Sequence, residues 1–269
     1  MPAIKETSTG LDYYELSHPW EHNQPVLPGF DEPIMYRSVN HAKHGVLSQM
    51  FKTVFHMSTH INAPIHLIQG GKGIGEIGLE HFWGSALVIS IPKEKWQLVT
   101  AEDLQASGAP VRAGDIVLIN TGWHRRYADS QEYFGHAPGL SESAAQWLVD
   151  KQVKLVGVDT PQVDHPLATS LGLHRNGPTM KRLAPEYEAE TGREALADFP
   201  DWNPAHRVLL GAGIPTIENV GGDLDDLSGR RCTVHANPWR WPEGDACVVR
   251  LMGICDPKGN YRVEAGDAS

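Results

Sequence analysis

Residues 141–159 read SESAAQWLVDKQVKLVGVD, and this stretch decides the fold class. Ser141 offers the hydroxyl of an N-cap, and Ala144, Ala145, Leu148 and Val149 follow at helical spacing to about Gln152. Leu155 to Asp159 is then a short, continuous apolar run ending in an acid, the pattern of a buried strand. Upstream, Gly114-Asp115 introduces a similar run, Ile116 to Asn120, and Ala86 to Ile91 is another, ended by Pro92. Between these last two, Thr100 to Ser107 reads as a short helix with Thr100 as N-cap and Asp103 closing an acidic variant of the capping box.

Further out the signal weakens. Residues 11–40 suggest a short strand and then a loop arm around Leu16-Ser17-His18-Pro19, and residues 46–56 suggest a strand leading towards a group of histidines. Five glycines between Gly70 and Gly78 make a loop, without the strand-before, helix-after setting of a nucleotide fingerprint. Residues 165–203 are polar and weakly patterned, a loop-and-helix insertion expected to shape a pocket. His206 to Leu210 begins a helix or turn, Pro215 to Glu218 is a strand, and Cys247 to Ile254 is a final apolar strand. Strands outnumber helices and partly alternate with them. The expectation is an α/β chain with a mixed sheet and flanking helices, and with no repeat or linker to split it, one domain over 1–269.

Composition narrows the function. Apolar residues make up 41% and charged residues 21% of the 269, as in ordinary globular proteins. A formal charge of -10 with no Lys/Arg cluster argues against a nucleic-acid partner. No apolar run reaches the ~18 residues of a membrane span, and the N-terminus lacks the apolar core of a secretory signal. Three cysteines at unpatterned spacings suit free thiols in a reducing cytoplasm. The 14 histidines, many beside Pro, Gly or Asn, are more telling, because irregular backbone is where metal and proton-transfer sites tend to be built.

Three of them fall within Phe55-His56-Met57-Ser58-Thr59-His60-Ile61-Asn62-Ala63-Pro64-Ile65-His66. His56, His60, Asn62 and His66 are all even-numbered, so on extended backbone they share one face. An HxxxH pair would share a helix face too, but Pro64, Thr59 and Ile61 disfavour a helix here. Either geometry gathers the imidazoles. Neutral imidazole suits Zn, Mn and Fe, and an amide carbonyl oxygen suits the harder of these. No GxSxG, Cys–His pair or P-loop points to other chemistry.

The segment resembles the HxGTHxDxPxH signature of the cyclase-like metal-dependent hydrolases, the family of bacterial kynurenine formamidase and isatin hydrolase. Other resemblances run in family order: Leu16-Ser17-His18-Pro19, Gly114 to Leu118 with Thr121-Gly122-Trp123, Pro138 to Ser141, Leu155 to Thr160, and Ala205 to Leu210 followed by Ile217-Glu218-Asn219. The resemblance implies a swivelling β/β/α fold, usually in homo-oligomers (dimers or tetramers). It places His56, His60 and Asn62 at first-metal positions, His66 at the catalytic acid/base position, and His206 and Glu218 at second-metal positions, with Glu218 counted among the catalytic groups.

Two residues depart from the signature: Ser58 stands where the motif has glycine, and Asn62 where it has aspartate. An amide cannot bridge two cations ~3.5–4 Å apart as a carboxylate can, so the expectation is one Zn2+ or Mn2+ per chain. The implied reaction is hydrolysis of a small amide, imide, lactam or lactone by metal-activated water, with His66 as general base. Trp20, Trp123 and Asp159 are candidate substrate contacts, although large aromatics more often simply pack and Asp159 suits a turn equally. A lyase or dehydratase acting on a hydroxy acid, and a non-catalytic relative that lost its metal through Asn62, remain the alternatives.

Overall fold

The computed structural model describes residues 4–5 and 8–261. Its strands in chain order are β1 (Ile4–Lys5), β2 (Asp12–Glu15), β3 (Ile34–Val39), β4 (Ser48–Lys52), β5 (His60–Asn62), β6 (Trp83–Ser90) and β7 (Leu98–Val99). They continue as β8 (Ile116–Asn120), β9 (Gly139–Leu140), β10 (Leu155–Val158), β11 (Thr216–Glu218), β12 (Arg231–His235), β13 (Ala246–Val248) and β14 (Met252–Cys255). The helices are α1 (His41–His44), α2 (Ala101–Ala106), α3 (Gln131–Gly135), α4 (Glu142–Asp150), α5 (Leu183–Thr191), α6 (Ala195–Asp198) and α7 (Pro204–Gly211).

Ten strands form one mixed sheet in the order β1-β2-β14-β12-β6-β8-β10-β11-β5-β13. The apolar runs occupy its centre, where β6, β8, β10 and β11 are mutually parallel. Parallel neighbours need crossovers; α4 supplies the one from β8 to β10, and α7 lies in the one from β10 to β11. Every residue of β8 and β10 is buried, which is why both read as unbroken apolar runs. One face packs Ile61, Val88, Ile116, Leu118 and Ile217 into a core. The other packs Ile89, Val117, Ile119 and Val156 against Ala144 and Leu148 of α4 and Leu209 of α7. The wings are antiparallel: β12 on β6 at one side, β5 on β11 and β13 on β5 at the other.

The helix caps form as the sequence implies. Thr100 and Asp103 make a reciprocal capping box on α2, and the Ser141 hydroxyl accepts from Ala144 N on α4. The run expected as one strand from Cys247 to Ile254 is instead two strands, β13 at the sheet's far edge and β14 near the opposite edge. Only residues 249–251 separate them, so the sheet curls to bring its edges together. Val249 N donates to Thr59 O and Leu16 N donates to Leu251 O across the closure.

The strand expected over 46–56 is confined to β4, which pairs with β3 in a separate, largely exposed hairpin. Its residues alternate towards solvent on both faces, so burial leaves no pattern to read. Within 165–203, α5 and α6 bury Leu183, Ala184, Tyr187 and Ala195 against Tyr133 and Phe134 in a third core. No helix of the described residues is long and apolar enough to cross a membrane.

Candidate metal centre

Strand pairing builds the site. The antiparallel register of β11 on β5 sets Glu218 opposite His60 and Thr216 opposite Asn62, so all four side chains share a face. The alternation expected from His56 to His66 holds only within β5. On its N-terminal side the chain bends, with Ser58 at φ 54° in the left-handed region where the motif carries glycine. On its C-terminal side Pro64 opens a 3-10 turn ending at His66. His56 and His66 therefore reach the cluster through two bends rather than along one strand. Ring centroids lie 4.2 Å apart for His56 and His66, 5.3 Å for His56 and His60, and 5.7 Å for His66 and His206.

His206 projects from the first turn of α7, whose start is fixed by Asp164: its carboxyl accepts from Ala205 N at 2.8 Å and His206 N at 3.1 Å. Burial pushes that carboxyl up to about 8, against the pull of these two donors. His206 Nε2 is 2.7 Å from Thr216 Oγ1, and Asn62 Nδ2 is 3.5 Å from both of those atoms. Glu218 Oε1 accepts from Val163 N at 2.9 Å and lies 3.8 Å from His206 Nδ1. Burial raises the Glu218 carboxyl, but His60, His206 and His56 more than offset this and hold it well below the usual carboxylate range. Burial, reinforced by His56 and His206 and opposed by Glu218 and Asp245, lowers His66 to about 3. Burial likewise lowers His206 to about 4. Both imidazoles are neutral at physiological pH.

Two atoms test whether these residues suit a metal. His60 Nδ1 lies 2.9 Å from Ser58 O, and a carbonyl only accepts, so Nδ1 carries a hydrogen and Nε2 is the nitrogen turned to the site. Nε2 is buried 3.0 Å from Glu218 Oε2, a contact that a proton on the ring or a cation between the two atoms would satisfy. Asn62 Oδ1, on a fully buried residue, lacks a partner. Buried acceptors facing one another without donors require a proton or a cation between them. An imidazole held through its other nitrogen by a carbonyl is the usual presentation of a metal-binding histidine. The donor set fits a divalent cation.

His56, His60, His66, His206 and Glu218 line one cavity, with Asn62 buried beside it. The other sequence candidates do not line it. Trp123 is buried with Nε1 donating to Tyr133 O, and Trp20 packs edge-on against Phe51. Asp159 is fully buried and saturated: it accepts from Thr121 N, Thr121 Oγ1 and His124 N, and meets His124 Nδ1 at 3.0 Å. It holds the Thr121-Gly122-Trp123 turn in place. The rest of the wall includes Pro25, Leu27 and Phe30 of the N-terminal arm, Tyr127 and Phe134, and Gln162 and Asn219. Of residues 165–203 only Asn203 contributes.

One acidic residue at the site was not legible beforehand. Asp245 Oδ2 lies 2.9 Å from His56 Nε2, and donor atoms of His56, His66 and Asp245 all fall within 4.8 Å of one another. Asp245 sits in the loop Pro242-Glu243-Gly244, and only the pairing of β13 with β5 brings it here; local sequence carries no sign of that.

The comparisons agree with this architecture. A kynurenine formamidase from Bacillus cereus is 26% identical over 90% of this chain and 96% of its own length, and one from Bordetella petrii is 29% identical over 60% and 75%. Among solved structures, isatin hydrolase A from Ralstonia solanacearum superposes with a TM-score of 0.72 at 22% identity, covering 91% of this chain and 92% of the other. An isatin hydrolase bound to the product analogue thioisatinate gives 0.73 at 17% identity over 92% and 94%. The family model described as "Putative cyclase" matches residues 14–165, which include the whole His56–His66 segment. This chain belongs to the Cyclase family.

Proposed function

We propose that this protein is a metal-dependent hydrolase of a carbon–nitrogen bond in a small formamide, lactam or cyclic imide, with lactone esters as a lesser activity. The observation that carries the reading is the buried confrontation of His60 Nε2 with Glu218 Oε2, beside the unpartnered oxygen of Asn62. His56, His60 and Asn62, with His206 and Glu218 adjacent, would hold one Zn2+ or Mn2+ per chain. Kynurenine formamidases among the relatives and isatin hydrolases among the structural neighbours support amide chemistry.

When bound, a divalent cation supplies acidification of water and stabilisation of negative charge on a carbonyl oxygen. His66 does the proton work. Lining the cavity and lying against His56, it takes the proton released as water attacks the carbonyl and passes it to the departing nitrogen. Leu27, Phe30 and Phe134 give the cavity an apolar wall for the body of the substrate. The products are a carboxylate and an amine, or an amide where the substrate is an imide and an alcohol where it is a lactone, joined in one molecule when the substrate is cyclic.

The exposed Ile34, Tyr36, Met50 and Phe51 on the β3–β4 hairpin support a homo-oligomer, which light scattering would register. Chelator-stripped and metal-replenished protein should be assayed on matched N-aryl formamides, lactams, cyclic imides, lactones and 3-hydroxy acids. Metal-dependent opening of an amide supports the reading. Dehydration of a hydroxy acid without amide cleavage, or metal-independent turnover, contradicts it.

A further inference from the structure

We propose that Asp245 is an anionic ligand of the metal centre and supplies, from the opposite side, the carboxylate that position 62 lacks. The inference rests on the metal-centre reading above and extends it to a residue outside the HxxxHxN segment.

The first ground is charge. An imidazole ligand carries no negative charge, so His56, His60, His206 and the amide of Asn62 leave Glu218 alone against a dication. In a buried setting an uncompensated charge is costly, and a second carboxylate closes the balance. The second ground is position. Ala63 N donates to Asp245 O at 2.9 Å, and the next residue, Ala246, pairs with Asn62, so the β13 edge brings the Asp245 backbone to the end of β5, one residue along from Asn62. The third is distance. Asp245 Oδ2 is 2.9 Å from His56 Nε2, a spacing that two ligands of one ion, each ~2.0–2.2 Å from it, can have.

A hydrogen bond that merely orients the His56 ring is the competing role, and Asp245→Asn separates the two. The amide oxygen still accepts from an imidazole N–H, but the charge is gone. The side chain is 49% exposed, so the substitution leaves the core untouched.

Zn2+ affinity should be measured by competition with a chromophoric chelator for the parent, Asp245→Asn, His60→Ala and the double variant Asn62→Asp/Asp245→Asn. The expected result is a loss in Asp245→Asn beyond the ~10–100-fold that an outer partner costs, with most of it recovered when Asn62→Asp returns the carboxylate. If Asp245→Asn binds within about threefold of the parent, less than even an outer partner costs, while His60→Ala fails to bind, Asp245 is no ligand and the metal centre stands without it. A deficit that Asn62→Asp leaves unrepaired also overturns the exchange. A parent that binds no Zn2+ overturns both readings together.

Discussion

His60 Nε2 faces Glu218 Oε2 across 3.0 Å of buried space, because the β5–β11 register sets these residues opposite each other and Ser58 O anchors the imidazole through its other nitrogen. A pair so placed defines where positive charge must reside. On the proposed reading, His56, His60 and His206 hold a cation there and His66 moves the proton.

His66 is assigned to service. Its substitution in His66→Ala should leave metal content unchanged and lower kcat by about 10²–10⁴-fold, the usual loss for a general base. Parallel elemental analysis and steady-state kinetics check this. A metal-free variant, or one nearly as active as the parent, removes His66 from the role.

Ser58 carries a left-handed backbone at φ 54°, which costs an L-residue about 1–2 kcal/mol and glycine almost nothing. Its carbonyl holds His60 and Asn219, and its hydroxyl makes only a long 3.5 Å contact to His18 O. Ser58→Gly should therefore raise stability, by about 0.5–1 kcal/mol once the greater freedom of glycine in the unfolded chain is deducted. Urea titration of both proteins at one pH decides; an unchanged or lower midpoint shows that the bend is not strained.

The central sheet and the presence of a histidine site were legible because both rest on local pattern. Val117, Leu118, Val156 and Val158 are buried wherever the chain goes, and the Ser141 and Thr100 caps bond within three residues of themselves. Asp245 was not legible, since its place is fixed by strand pairing with residues some 180 positions away in sequence. Nor was the path from His56 to His66. Even spacing gave the correct grouping for the wrong reason: bends at Ser58 and Pro64, not one extended strand, bring the rings together. Trp123 and Asp159 show the reverse error. Both flank the functional face in sequence, yet one packs and the other satisfies a turn.

Acid should destabilise the metal-free protein early. His165 is buried, accepts from Leu167 N, meets Trp96 O through its other nitrogen and stacks on Phe199 at 3.9 Å. Burial lowers it to about 3, whereas in the unfolded chain it titrates near the ordinary ~6.5. The unfolded state thus binds the proton first, so stability is full above about 6.5 and declines as pH falls towards 3. His18, His66 and His206 are shifted in the same direction by burial. Denaturant midpoints of stripped protein between neutral and mildly acidic pH should fall steadily, with a shallower slope in His165→Gln. A flat or rising profile contradicts this.

The central claim is that the β5–β11 pairing and the bends beside it enclose one divalent cation. Elemental analysis after loading with Zn2+ or Mn2+ and gel filtration tests it directly, for the parent and for His60→Ala. The account predicts close to one metal ion per parent chain and near none in the variant. A parent that emerges empty, one that retains two tightly held ions, or a His60→Ala variant with undiminished content would contradict it.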